Sequence, residues 1–209
     1  MQLINYLKKH FYSRGELLTL SETTGDDLSK WQHQALVPHC SYKLTLNINS
    51  CSFFGEYTNE ETVEYYAKGY VSWLTTIKNC HSHQEAYEIF AKRYQNKLEQ
   101  LYSVGHLSNI NTLNDNLHPH IKSEWQYFLD GTYGLCTRSG LPEDIAAKEL
   151  AISEIKTLTQ HKILNTVQLT QLKKAVDLLD AASALFAPHE RLKSSRHLLI
   201  DEVRRDYGL

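Results

Sequence analysis

The stretch TTGDDLSKWQHQALVP, Thr23 to Pro38, decides how the first third of the chain is read. Leu28, Trp31, Ala35 and Leu36 step by three, four and one, the spacing of an amphipathic helix. That helix must stop near Leu36, because Pro38 disfavours helical backbone in the residue before it. Upstream, QLINYLKKH (2–10) predicts a short helix, and YSRGELLTL (12–20) continues with Leu17, Leu18 and Leu20 until Ser21 interrupts. Downstream, in SYKLTLNINSCSFFGEY (41–57), Tyr42, Leu44 and Leu46 alternate with polar residues at the two-residue period of a strand. NINS (47–50) supplies turn formers, and CSFFGEY (51–57) returns as the second strand of a hairpin.

Beyond the hairpin the pattern changes to helix. TNEETVEYY (58–66) places Thr58 three residues before Glu61, the capping-box spacing of a helix start. Helices are predicted over about 60–79, 82–103, 107–129, 142–160, 166–185 and 188–206, punctuated by Gly105, Gly131, Gly134, Gly140 and Pro188. The fold class is mainly α: a winged helix-turn-helix-like head with a small β-hairpin over residues 1–66, then an all-helical body over 67–209.

The order helix, turn, helix, hairpin resembles the DNA-binding domain of the MerR family of bacterial regulators. Tyr12 to Ser21, Trp31, Ala35 to Pro38 and Tyr57 to Glu61 carry the likeness. The resemblance implies that Lys8, Lys9, Arg14, Ser29, Lys30 and Lys43 are the residues available to meet DNA. Two features work against that role. Ser29 stands where the family usually has an arginine, and Asp26 and Asp27 open the second helix. Those carboxylates suit a helix N-terminus by about 0.3–1 kcal/mol each but repel phosphate. Residues 1–45 hold five basic and four acidic side chains, a net +1. The head therefore reads as a scaffold for recognising a protein partner, with nucleic acid disfavoured. A homodimer is compatible with this pattern.

The bulk numbers agree. Across 209 residues, 22 Lys and Arg face 24 Asp and Glu, giving a net charge of -2 and no field to draw the chain onto nucleic acid. The N-terminus has no cleavage-site pattern and no apolar run long enough to span a membrane. Four scattered cysteines without a CxxC pair suit free thiols in a reducing compartment, so a cytoplasmic protein is expected.

In the body, WQYFLDGTYGLCTRSGLPEDIAAKEL (125–150) gathers Tyr133, Cys136, Thr137 and Arg138 among three glycines before a helix entered at Pro142. Lys148 lies on that helix's apolar face with Glu149 at its edge. In the last segment Arg196 and His189, with Glu190 beside it, fall on the face of Leu192, Leu199 and Val203. Charges on apolar faces pair, snorkel or meet a ligand. Two readings follow: a structural ion-pair network, or a polar pocket in which arginine holds a small anionic ligand and His189 does acid–base work. The second reading would make the chain a small-molecule binding protein or enzyme. No nucleotide motif is present, and no cofactor is expected.

CHSH (80–83) and HPH (118–120) each hold two histidines one residue apart. On a helix such pairs point about 200° apart, so exposed or capping histidines are expected and no metal site. Tyr57, Tyr65, Tyr66, Tyr70, Trp73, Tyr87, Phe90 and Tyr94 read as an aromatic core between helices. The 125–150 segment together with APHERLKSSRHLLIDEVRR (187–205) resembles an uncharacterised bacterial family. Some of its members carry the label of natural-product biosynthesis proteins, which implies a metabolic role without naming a reaction.

Overall fold

The computed structural model describes residues 2–106, 117–160 and 163–209. Among the described residues the chain is mainly helical, with one three-stranded antiparallel sheet of order β1-β3-β2. Helix α1 (Gln2–His10) buries Leu7 and ends in Lys8, Lys9 and His10, cations that suit its C-terminal dipole. Strand β1 (Phe11–Ser13) leads into α2 (Arg14–Ser21), where Ser13 and Glu16 form a reciprocal capping box. Helix α3 (Gly25–His33) is capped by Thr24, whose Oγ1 accepts from Asp27 N at 3.1 Å and donates to the Asp27 carboxylate at 2.6 Å. The aspartate that works against phosphate is thus part of the cap.

Strands β2 (Tyr42–Ser52) and β3 (Gly55–Ala67) pair from Tyr42↔Tyr65 to Ser52↔Gly55. This corrects three expectations. NINS is strand rather than turn; the turn is Phe53–Phe54, closed by Gly55 at φ 115, which only glycine adopts without strain. TNEETVEYY is strand rather than a capped helix, and Thr58 bonds across the hairpin to Asn49 at 3.2 Å. The predicted helix over 60–79 begins only at α4 (Tyr70–Ile77). Cross-strand neighbours outweigh the local capping signal: Tyr42 and Leu44 pair with Tyr65 and Val63 on the face that meets Leu7 and Phe11.

The helical part comprises α5 (His83–Ser103), α6 (Leu117–Leu129), α7 (Thr132–Cys136), α8 (Pro142–Leu158) and α9 (Thr166–Ala182). The predicted helix over 107–129 is present from Leu117; its first ten positions lie outside the described residues. Ala86, Phe90, Tyr94, Leu98 and Leu101 form the four-residue stripe that α5 buries, and α8 packs against both α5 and α9. Trp73, Phe90, Trp125 and Phe128 interlock with ring centroids 5.0–6.0 Å apart. Each ring, fully buried, contributes about 3 kcal/mol or less.

One cluster of buried residues spans position 66, joining Leu17, Leu28, Leu36 and Val37 to Trp73, Phe128 and Tyr133. Trp73 Nε1 donates to Leu36 O at 2.9 Å, and His39 N to Leu129 O at 2.8 Å. The last predicted helix, 188–206, is instead a 3-10 turn (Arg191–Lys193), a π-helical stretch (His197–Asp201) and a short α10 (Glu202–Tyr207). Among the described residues, no helix is long and apolar enough to cross a membrane.

Candidate functional site

Helix α6 sets Ile121, Trp125 and Phe128 in the core, and next to that face, one turn apart, it carries His120 and Glu124. Gly131, at φ 81, then turns the chain sharply. A side chain there would meet Cys40 O at 2.6 Å, so only glycine fits. The turn lets α7 bring Tyr133 beneath Glu124, while α8 delivers Lys148 and Glu149 from the other side.

The result is a connected buried network. Tyr133 Oη donates to Glu124 Oε2 and lies 3.3 Å from Glu149 Oε1. His120 Nδ1 faces Glu124 Oε1 at 3.4 Å, and Tyr94 Oη on α5 is 3.1 Å from His120 Nε2. When Glu124 is ionised, its carboxylate opposite Nδ1 favours the Nδ1–H tautomer, in which Nε2 accepts from Tyr94. Lys148, only 6 % exposed, lies 5.9 Å over the Tyr133 ring, and its charge bears on the Cys136 thiol.

Burial governs the protonation of this group. It raises the Glu124 pKa to about 7, helped by the neighbouring Glu149 charge and opposed by Lys148. It lowers His120 below the usual imidazole value, with Glu149 opposing. It lifts the Tyr94 phenol well above 10, and the Cys136 thiol above its ordinary value despite Lys148. The network therefore holds an imidazole biased to its neutral form beside a carboxyl group that exchanges its proton near neutrality. Tyr94, His120 and Glu149 open onto a cavity of about 290 Å³ whose walls include Leu98, Leu150 and Ile152, with Lys156 also lining it.

Of the residues singled out in the sequence, Tyr133, Cys136, Lys148 and Glu149 come together here. The others do not. Thr137 is buried, donating to Tyr133 O at 2.6 Å and accepting from Gly140 N at 2.9 Å, a structural brace for the loop. Arg138 is exposed and lines a different cavity. Arg196 is committed to Asp180 and Ala184 O, and Asp180 also receives Arg204 at 2.8 Å. Glu190 accepts from Tyr42 Oη at 2.6 Å, with an exposed His189 3.7 Å away. The expected convergence of Arg138, His189 and Arg196 with Lys148 is therefore not formed.

Glu124, His120 and Tyr94 were missed, since HPH was expected to be exposed or capping and Tyr94 to be plain core. His118 faces solvent, whereas His120 is half-buried, its ring turned toward Glu124 and Tyr94. In the N-terminal segment, Arg14 bonds Ser29 Oγ at 3.1 Å and Gly25 O at 3.3 Å, so two of the residues considered for DNA hold each other. Lys8, Lys9, Lys30 and Lys43 are exposed.

No curated protein and no solved structure matches the chain. A family of unknown function, DUF6058, matches residues 86–208, a stretch that contains the whole network from Tyr94 to Glu149. The chain belongs to this DUF6058 family of unknown function.

Proposed function

We propose that the chain is a small-molecule binding protein with acid–base capacity, an enzyme-like site whose proton-transfer groups are His120, Glu124 and Glu149. One observation carries this reading: the chain Tyr94–His120–Glu124–Tyr133–Glu149 is connected and mostly buried, yet opens on an amphiphilic cavity of about 290 Å³. Purely structural carboxylates are ordinarily paired with cations. Here burial and the Glu149 charge outweigh the attraction of Lys148, and Glu124 keeps an exchangeable proton near pH 7. The apolar walls favour a largely apolar ligand carrying one protic group, a hydroxyl or an acidic C–H, toward His120 and Glu149.

Phenol is a suitable probe. In imidazole-detected NMR, His120 is expected as the neutral Nδ1–H tautomer at pH 7, with its signals moved by phenol. Ile152→Trp, which fills the cavity without touching the polar chain, should abolish that response. A charged His120 at pH 7, or a phenol response that survives the filled cavity, would defeat the proposal.

The hairpin supports a second role for the N-terminal segment, a winged-helix-like head that recognises a second copy of the chain. Its tip presents Phe53 and Phe54 at 97 % and 96 % exposure, with Ile48 and Tyr57 behind them on one face. Sedimentation should show a dimer that Phe53→Ser with Phe54→Ser dissociates; a monomeric wild type removes this role.

A further inference from the structure

A second cavity, of about 310 Å³, lies where α1 and β1 meet the loop after α7 and the segment after α9. It is separate from the carboxylate network, and its chemistry is of opposite sign. Arg138 lines it with a guanidinium whose one hydrogen bond among the described residues is a long one, 3.4 Å to Asp180 O, which leaves most of its donor fork available. His10 lines it too; burial first, and then the charges of Lys9 and Lys68, hold its imidazole below the ordinary pKa. Two acids bear on this region and both are already held: Glu190, which acts on Tyr6 in the wall, accepts from Tyr42, and the Asp180 carboxylate, next to Arg138, accepts from Arg196 and Arg204.

The floor adds a neutral donor. Ser183 is 2 % exposed, lines the cavity, and its Oγ has no hydrogen-bond partner among the described residues. Buried hydroxyls are nearly always satisfied, so an orphan on a cavity wall marks a position where a ligand atom or a water belongs. Gly134 lies in the same wall. A side chain on it would meet Ser41 Oγ at 2.1 Å and Tyr70 Oη at 2.6 Å, so the backbone itself forms the surface. Opposite the polar groups, Tyr6 and Phe11 offer rings 6.0 Å apart, with Tyr6 also 4.8 Å from His10.

We propose that this cavity is a binding site for a small aromatic oxyanion, its carboxylate or phosphate held by Arg138 and the Ser183 hydroxyl and its ring against Tyr6 and Phe11. Bidentate guanidinium pairing suits both anion types, and the aromatic wall distinguishes an organic anion from an inorganic one. The site spans residues 6–11 and 134–185, so an occupant ties the N-terminal helix to the helical part.

Calorimetric titration of the full chain with benzoate, phenyl phosphate, inorganic phosphate and benzylamine tests the assignment. Benzoate or phenyl phosphate should bind, with inorganic phosphate at least tenfold weaker and benzylamine silent. Arg138→Gln, on the surface, should weaken the organic anion at least tenfold, and Leu185→Trp, which closes the exposed side of the cavity and keeps every charge, should do the same. Equal binding of benzylamine, equal binding of inorganic phosphate, or retained affinity in both variants would each overturn the site. His10 ring resonances report whether the probe is at this cavity. A perturbation at His120 in place of His10 would also overturn it, and would leave the proton-transfer reading untouched.

Discussion

Replacing Glu124 with glutamine should change how stability depends on pH. The Glu124 carboxyl is 7 % exposed and its pKa is raised from 4.5 to about 7, first by burial and then by the Glu149 charge. A carboxyl whose folded pKa lies above its unfolded value favours the protonated form in the fold. Its contribution is fully present below pH 4.5 and is lost as pH rises through about 7. The full displacement corresponds to about 3 kcal/mol. Solvent reaches the network through the cavity beside His120, itself 33 % exposed, and screening reduces the expected loss to about 1–2 kcal/mol.

Glutamine keeps a carbonyl to accept from Tyr133 and never ionises. Between pH 5 and pH 9 the variant should therefore gain about 1–2 kcal/mol relative to wild type, or about 3–6 °C in Tm for a chain of this size. His120 works the other way: its lowered pKa favours the neutral ring, giving stability above the ordinary imidazole value that is lost as pH falls. That contribution is shared by both proteins and cancels to first order in their difference. Urea denaturation at several pH values measures it directly. Parallel curves for wild type and Glu124→Gln from pH 5 to pH 9 would refute the assignment of a raised pKa to Glu124.

Two glycines should respond in opposite directions. Gly131→Ala forces a side chain into φ 81 and toward Cys40 O at 2.6 Å, and should cost about 1–3 kcal/mol in urea denaturation. Gly15→Ala, in α2 with nothing within 4 Å, should gain about 0.5–1 kcal/mol in the same assay. The thiols should separate in timed alkylation with iodoacetamide read by mass spectrometry. The exposed Cys51 should react first, and Cys136, half-buried with its pKa raised by burial, last. Equal rates at Cys51 and Cys136 would contradict that order.

The helix signals that proved legible were those decided within one turn or two. Leu28 sits inside α3, which ends before Leu36 as Pro38 demands, and the buried stripe of α5 steps by four, four, four and three from Ala86 to Leu101, as an amphipathic helix requires. The hairpin return was misread because its evidence is non-local. Thr58 and Glu61 satisfy a four-residue capping rule, whereas the pairing of Tyr65 with Tyr42 involves residues twenty-three positions apart. In the last segment, face assignments for His189 and Arg196 assumed a constant 100° per residue. Between them lie a 3-10 turn (Arg191–Lys193) and an extended Ser194 in place of continuous α-helix, so the two side chains separate and Arg196 turns to Asp180. Glu124 was hidden by its neighbours: Ile121, Trp125 and Phe128 announce a core helix. The usable signal was a His and a Glu four apart immediately beside that stripe, where an exposed face would not begin.

The five residues of α7 connect the two cavities more tightly than their length suggests. Tyr133 and Gly134 are consecutive on a helix, about 100° apart, so one enters the carboxylate network while the next lines the cavity beside Arg138. Gly131 fixes the entry to this helix and Thr137 its exit, through bonds to Tyr133 O and Gly140 N and a bridge to Ser183. A ligand on the Arg138 side that orders this exit also orders Tyr133, which donates to Glu124 and lies within 3.3 Å of Glu149. On the two readings proposed here, binding at one cavity must then alter affinity at the other by the same factor in each direction. Thr137→Val keeps the shape but removes both brace bonds, so it should weaken that coupling more than it weakens either affinity alone. Double titrations with phenol and benzoate measure the factor in both directions, and a coupling unchanged in Thr137→Val would show that α7 does not carry it.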